Sequence, residues 1–271
     1  MTLKIGFHSD SYPEQTTLEK TESNTQSKAV KSLVQVHFPS RNMTLSYYND
    51  MFDLHRGDIV YVDGKLEGHR GRVVDVSYCF KIKLSDYKRV IGRADTEVNG
   101  SLYMADSHFV AFDRSVIPFE KVQSWFKAPN NSEEEYVTGG EGTAVFLDRL
   151  GEIDAKPQII ERGEQYYFED RVAYISVCSG QGRAIVEGTQ PYEVDFEYNN
   201  GEVKSLVCDC FCTGICKHEI AVLLQLRETL RIIEESYKEL YTQSDYFAAV
   251  SKGAFFAFAM SPNKRGRVTL W

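Results

Sequence analysis

Cys208-Asp209-Cys210, a gap of five residues and then Cys216-Lys217-His218 place four metal-type donors within eleven residues, directly ahead of an apolar run with helical spacing. Three thiolates and one imidazole complete a tetrahedron. A closed set of this kind leaves no position for water or substrate, so the chemistry it implies is structural Zn2+ binding rather than catalysis. Residues two apart in extended chain point to the same side, so Cys208 and Cys210, at the end of the alternating segment 203–207, can face one ion. Gly214 in the gap allows the positive φ of a tight return. Cys216 and His218 then arrive at the mouth of a helix, where unpaired N–H groups and the helix dipole favour thiolate. Cys212 reads as a spare thiol in the loop, with replacement of Cys208 or Cys210 as the alternative left open by the spacing. The competing accounts of the cluster are reduced cysteines with no metal, or disulfides in an oxidising compartment.

The ligands are embedded in a wider pattern. Gly182-Arg183-Ala184-Ile185-Val186-Glu187-Gly188-Thr189 and Tyr192-Glu193-Val194-Asp195-Phe196 precede them, and Lys217-His218-Glu219-Ile220-Ala221-Val222-Leu223-Leu224 follows. With its C-x-C and C-x-H pairs, this stretch, roughly residues 140–242, resembles the SWIM zinc finger. The resemblance implies strands before the ligands, a helix after them, and Cys208, Cys210, Cys216 and His218 as the zinc ligands, with no role for Cys212. It also implies DNA binding or protein contacts, as in the helicases and transposases that carry such fingers.

The elements that must position this cluster are spread over 271 residues, 42% of them hydrophobic, enough for two modest cores. No apolar stretch approaches the length of a membrane span and the first eight residues lack a signal-peptide core, so the expectation is a cytoplasmic protein with no membrane partner. Six cysteines, four of them clustered and Cys79 and Cys178 isolated, do not make a disulfide framework. The net charge of −8 argues against a broad nucleic-acid surface. Between 201 and 243 five basic residues face seven acidic ones, so the finger itself is mildly acidic.

Composition divides the chain into a short strand with a polar linker (1–30), a β-rich segment (31–128), a loop-like acidic linker (129–142) and a zinc-binding segment (143–271). The expected class is α+β: a small SH3-like barrel followed by a zinc-binding α+β domain. Strands are expected at 34–38, 44–48, 59–62, 72–76 and 80–84, with a strand pair over 102–112 and a short helix over 119–126. The second domain should begin with a helix at 143–150 and continue with strands at 165–168 and 172–175. A helix should run from 218 to about 241 and another over 246–260, a turn at 263–266 leading to a last strand. Residues 57–73, with glycines at 57, 64, 68 and 71 between alternating apolar positions, resemble a KOW motif of SH3-like barrels, extending to about 76. That resemblance implies RNA or protein contacts. From 51 to 93 nine basic residues face six acidic ones with Tyr61, Tyr78, Phe80 and Tyr87 among them, so Lys65, Arg70, Arg72, Lys81, Lys83, Lys88 and Arg89 are candidate nucleic-acid contacts. The plainer account is a barrel with aromatic core residues and solvated lysines.

Catalysis finds little support. No G-x-x-x-x-G-K-[ST] phosphate loop occurs. Cys216 and His218, two apart at a helix start, do not face each other as nucleophile and base. Asp53, Asp58 and Asp63 fall in glycine turns, which explains them adequately. The expectation is a non-enzymatic zinc-binding interaction module that binds nucleic acid or docks a nucleic-acid-processing protein such as a helicase. The alternative is a purely protein-binding adaptor.

Overall fold

The computed structural model describes residues 3–7, 31–129, 144–260 and 266–271. The polar stretch 9–30, nearly all of the acidic linker and the turn residues 263–265 lie outside them. The chain is mixed α and β, with two open sheets. Among the described residues no helix is long and apolar enough to cross a membrane.

After β1 (Leu3–Phe7), the strands β2 (Ser32–Phe38), β3 (Met43–Asn49), β4 (Ile59–Val62), β5 (Gly71–Ser77) and β6 (Val90–Arg93) form a five-stranded sheet in the order β3-β2-β5-β4-β6. Val34, Val36, Phe38, Tyr47, Val60, Val62, Val73 and Val90 give it a core of its own. Gly71 is required here, because a Cβ would run into Val36 and Phe38. The expected barrel does not close: β3 and β6 lie near each other but form no ladder, and among the described residues the pairing there is one parallel bridge from Tyr48 to Arg89, just ahead of β6, where Tyr48 N donates to Lys88 O at 2.9 Å. Residues 80–84 form no strand. Phe80 and Ile82 are half-buried and Lys81 and Lys83 exposed, so the alternation is present, but no neighbouring strand supplies a ladder.

The second sheet has ten strands. Its further members are β7 (Asn99–Ala105), β8 (His108–Ala111), β9 (Val145–Phe146), β10 (Val172–Cys178), β11 (Gln181–Glu187), β12 (Pro191–Asn199), β13 (Glu202–Cys208), β14 (Tyr246–Ser251) and β15 (Gly266–Leu270). The order is β1-β15-β7-β8-β14-β10-β11-β12-β13-β9, antiparallel except for β15 beside β7. The hairpins β10–β11 and β12–β13 turn on Ser179-Gly180 and Asn200-Gly201, all four at positive φ, as two-residue turns matched to strand twist require.

Alternate residues of the central strands feed two cores. Phe247 and Ala249 of β14 face one with Ile175, Val177, Ala184 and Val186. Ala248 and Val250 face the other with Tyr174 and Ile185. The first core is covered by α3 (Lys217–Ser236), which packs on α2 (Pro157–Phe168). The second is covered by α1 (Phe119–Phe126) and α5 (Lys252–Phe258) through Val122, Trp125, Phe126, Phe255 and Phe258.

Several expectations need correction. Residues 165–168 end helix α2 instead of forming a strand. Residues 145–146 pair with β13 and 147–152 form 3-10 turns in place of a helix. The helix after the ligands breaks at Tyr237 before α4 (Lys238–Ser244). Residues 246–251 are a strand because β8 and β10 flank them, and only 252–258 are helical.

Candidate metal centre

The four donors come from one strand end, the loop after it and one helix start. In β13 the segment from Lys204, opposite Glu197, to Val207, opposite Asp195, holds one residue more than β12, and Ser205 takes φ 49°. This bulge reverses the alternation. Val203 is buried before it, and beyond it Leu206 and Cys208 turn towards the core while Val207 is exposed. Cys210 lies past the strand in the turn.

Cys216 is the N-cap of α3. Its Sγ accepts from Glu219 N at 3.5 Å, and the buried Glu219 carboxylate accepts from Cys216 N at 2.6 Å. This reciprocal cap fixes the helix start and therefore the direction of the ligands on it. His218 is buried, with Tyr192 stacked on its ring at 4.0 Å and Tyr166 at 5.5 Å. Its Nδ1 stands 3.6 Å from Cys208 Sγ and 3.8 Å from Cys216 Sγ. The donor atoms of Cys208, Cys210, Cys216 and His218 all lie within 4.8 Å of one another. Cys212 is exposed and outside the group.

The electrostatics keep Cys210, Cys216 and His218 uncharged as they stand. Burial pushes the Cys210 thiol up to about 12. The Cys216 thiol is pushed far above the usual range by its hydrogen bond with Cys208 and then by burial. Burial, followed by the Lys217 charge, lowers His218 to about 4, so its imidazole is neutral and free to donate a lone pair. The Cys210 and Cys216 thiols resist becoming thiolates unless a positive ion holds them, and a bound metal would displace their protons.

Around the ligands stands a polar frame absent from the sequence reading. Asp209, between two ligands, donates its N–H to Glu193 O at 3.0 Å and accepts the Glu193 N–H on Oδ1 at 3.0 Å. Its Oδ2 takes Lys127 Nζ at 2.7 Å, and Lys127 also reaches Glu193 Oε1 at 2.9 Å. Burial works against the Lys127 charge, but these carboxylates outweigh it and raise its pKa. The only sequence signal for this frame was the position of Asp209 inside the C-x-C pair.

The candidate nucleic-acid residues divide into two groups. Arg70 reaches Trp125 O at 3.3 Å and lies over the Phe258 ring at 4.6 Å, and Arg72 binds Gly57 O and Ala257 O at 3.2 Å, so both fasten the five-stranded sheet to the rest of the chain. Lys65, Lys81, Lys83, Lys88 and Arg89 are exposed; Arg89 pairs with Asp50 at 2.7 Å and covers the Tyr48 ring. Of the turn aspartates, Asp58 accepts from His55 N and Asp63 from Arg89 N.

No protein-family model, curated protein or solved structure matches this chain.

Proposed function

We propose that this chain is a zinc-stabilised, non-catalytic interaction module: a SWIM-like finger holds the C-terminal half together, and the five-stranded, KOW-like sheet contacts nucleic acid, alone or docked to a processing enzyme such as a helicase. The observation carrying the metal reading is the spacing of the donors. With Zn–S near 2.3 Å and Zn–N near 2.0–2.1 Å, a regular tetrahedron has S···N edges of about 3.6 Å. His218 Nδ1 stands 3.6 Å from Cys208 Sγ and 3.8 Å from Cys216 Sγ, with all four donors, Cys210 included, within 4.8 Å of one another. Four protein donors complete the coordination, so the ion's contribution is to the fold.

For the contact surface, support comes from Lys65, Lys81, Lys83 and Lys88, which are exposed and have no ion-pair partner among the described residues. Tyr78, 55% exposed, offers a ring beside this basic loop. A protein-binding adaptor is the second reading, favoured by the net charge of −8 and by Phe211, 93% exposed in the ligand loop.

Metal analysis of the purified chain should give about one zinc per chain, lost together with the fold of the finger on chelation. Anisotropy titration of single- and double-stranded oligonucleotides across salt concentrations tests the contact. Four lysine–phosphate contacts predict a log–log salt slope of about −3 to −4. No binding at low salt leaves the adaptor reading.

A further inference from the structure

We propose that Lys127 is a positioning residue for the metal centre, and that through it metal binding and attachment of the five-stranded sheet are coupled. The inference rests on reading the Cys3His group as a zinc site. Asp209 stands between two ligands, so whatever holds its carboxylate holds the turn at 208–210. Two groups hold it: the Glu193 backbone N–H on Oδ1 and Lys127 Nζ on Oδ2. Gln123 on α1 reinforces the arrangement by donating to Glu193 Oε1 at 2.6 Å. The Lys127 side chain is 28% exposed, so its ion pairs are better shielded from solvent than an ordinary surface pair. When a dipositive ion takes three thiolates, the group gains a net charge of about −1, which favours a cation held on the intervening Asp209.

The same short helix carries the other half of the coupling. Its last turn leaves carbonyls without helical partners. Ser124 O accepts from Tyr61 OH of β4 at 3.2 Å, and Trp125 O accepts from Arg70 at 3.3 Å. The carboxyl end of α1 therefore grips the five-stranded sheet through its backbone, while Lys127, the residue that caps it, holds the 208–210 turn through Asp209. A cleft of about 380 Å³ lined by Phe52, Tyr61, Gly92, Gln123 and Lys127 lies at this junction, and beside it Ile59 of β4 packs into the core that holds Trp125 and Phe126, so the sheet is attached to α1 by these apolar contacts as well as by the directed bonds. Binding free energies are reciprocal: if the docked α1 favours metal, metal favours the docked α1.

The test uses the full chain carrying Trp271→Phe, so that buried Trp125 is the sole indole reporter. Zinc affinity is measured by chelator competition for the parent, Lys127→Met and Lys127→Arg, and Trp125 emission and amide exchange are followed with and without zinc. The methionine variant should bind zinc about tenfold more weakly, the lower end for outer partners of metal ligands, with arginine restoring most of the affinity. Zinc removal from the parent should speed exchange in α1, β4 and β5 and shift Trp125 emission to the red, and the methionine variant should show these changes before zinc is removed. Should Lys127→Met not fold, Asp209→Asn keeps the acceptor for Glu193 N–H, removes the charge under Lys127 and carries the same expectation. Equal zinc affinity in the parent and the variant, or α1 exchange indifferent to zinc in the parent, overturns the coupling and leaves the metal site intact. A parent that takes up no zinc overturns the metal reading and the inference with it.

Discussion

Replacing Gly163 by alanine sets helix propensity against packing at the point where α2 meets the metal-binding helix. Gly163 is buried in the middle of α2, and a Cβ there would stand inside 3.0 Å of Ile220 Cβ and Cγ2, with Lys217 O at 3.1 Å. For Ile220 and the new methyl to reach ordinary carbon contact, the two helices must part by roughly 1 Å. Overpacking of this kind costs about 1–3 kcal/mol. The alanine recovers about 1 kcal/mol of helix propensity. The balance is a loss of up to about 2 kcal/mol, which for a chain of this size lowers Tm by up to roughly 6 °C. Lys217 and Ile220 flank His218, and ligand distances tolerate only about 0.2 Å, so zinc affinity should fall as well. Gly253 in α5 is the control: it is exposed, nothing lies within 4 Å of its Cβ position, and its φ is not positive. Gly253→Ala should stabilise by about 0.4–1 kcal/mol. Scanning calorimetry with parallel chelator competition reads both variants. A Gly163→Ala protein that gains stability as Gly253→Ala does would refute the close-approach argument.

Two further outcomes follow from the geometry. Cys212 is exposed and apart from the donor group, so Cys212→Ser should keep about one zinc per chain by metal analysis while Cys210→Ser loses it; the reverse pattern would exchange the two cysteines as ligands. His108 is buried between Ser107 Oγ at 3.0 Å and Val172 O at 2.8 Å, and burial lowers its pKa against the opposing pull of the Val172 bond and of Asp170 and Asp106. A base with a depressed folded pKa takes up protons on unfolding, so its contribution is complete above the unfolded value near ~6.5 and is lost as pH falls below it. The urea midpoint should therefore drop between about pH 7 and about pH 5, and His108→Gln should flatten that drop; an unchanged slope in the variant would assign the acid sensitivity elsewhere.

The clustering of Cys208, Cys210, Cys216 and His218 was legible because it is local: thiols and an imidazole at short spacings need only a turn and a helix start to converge. Errors arose where tertiary partners decide the element. Gln165-Tyr166-Tyr167-Phe168 has strand-forming residue types, yet the chain is helical from Pro157, and Ile159, Ile160, Tyr166 and Tyr167 mark the side of α2 that is partly buried. Tyr246–Ser251 is buried on both faces, and an apolar run without alternation does not distinguish a central strand from a buried helix. Phe80-Lys81-Ile82-Lys83-Leu84 is the converse case, where the alternation is present but no strand among the described residues pairs with it.

Strand β13 brings Cys208 to the cluster by a route that simple alternation does not describe. Strict alternation from buried Val203 sends Ser205 and Val207 inward and leaves Cys208 facing solvent, away from the helix that carries Cys216 and His218. The bulge at Ser205 resolves this by adding one residue to β13 and reversing its phase just before the first ligand. Nothing in Lys204-Ser205-Leu206 announces it, since serine is not a preferred residue at positive φ and no glycine marks the site. What selects it is the cost of the alternative: without the bulge Leu206 would leave the core and Cys208 would leave Cys216 and His218, so the contacts of both residues favour the irregular strand. On the zinc reading proposed above, an ion held by Cys208 would also favour this register of β13, and chelation should then loosen the strand as well as the loop after it, as amide exchange would show.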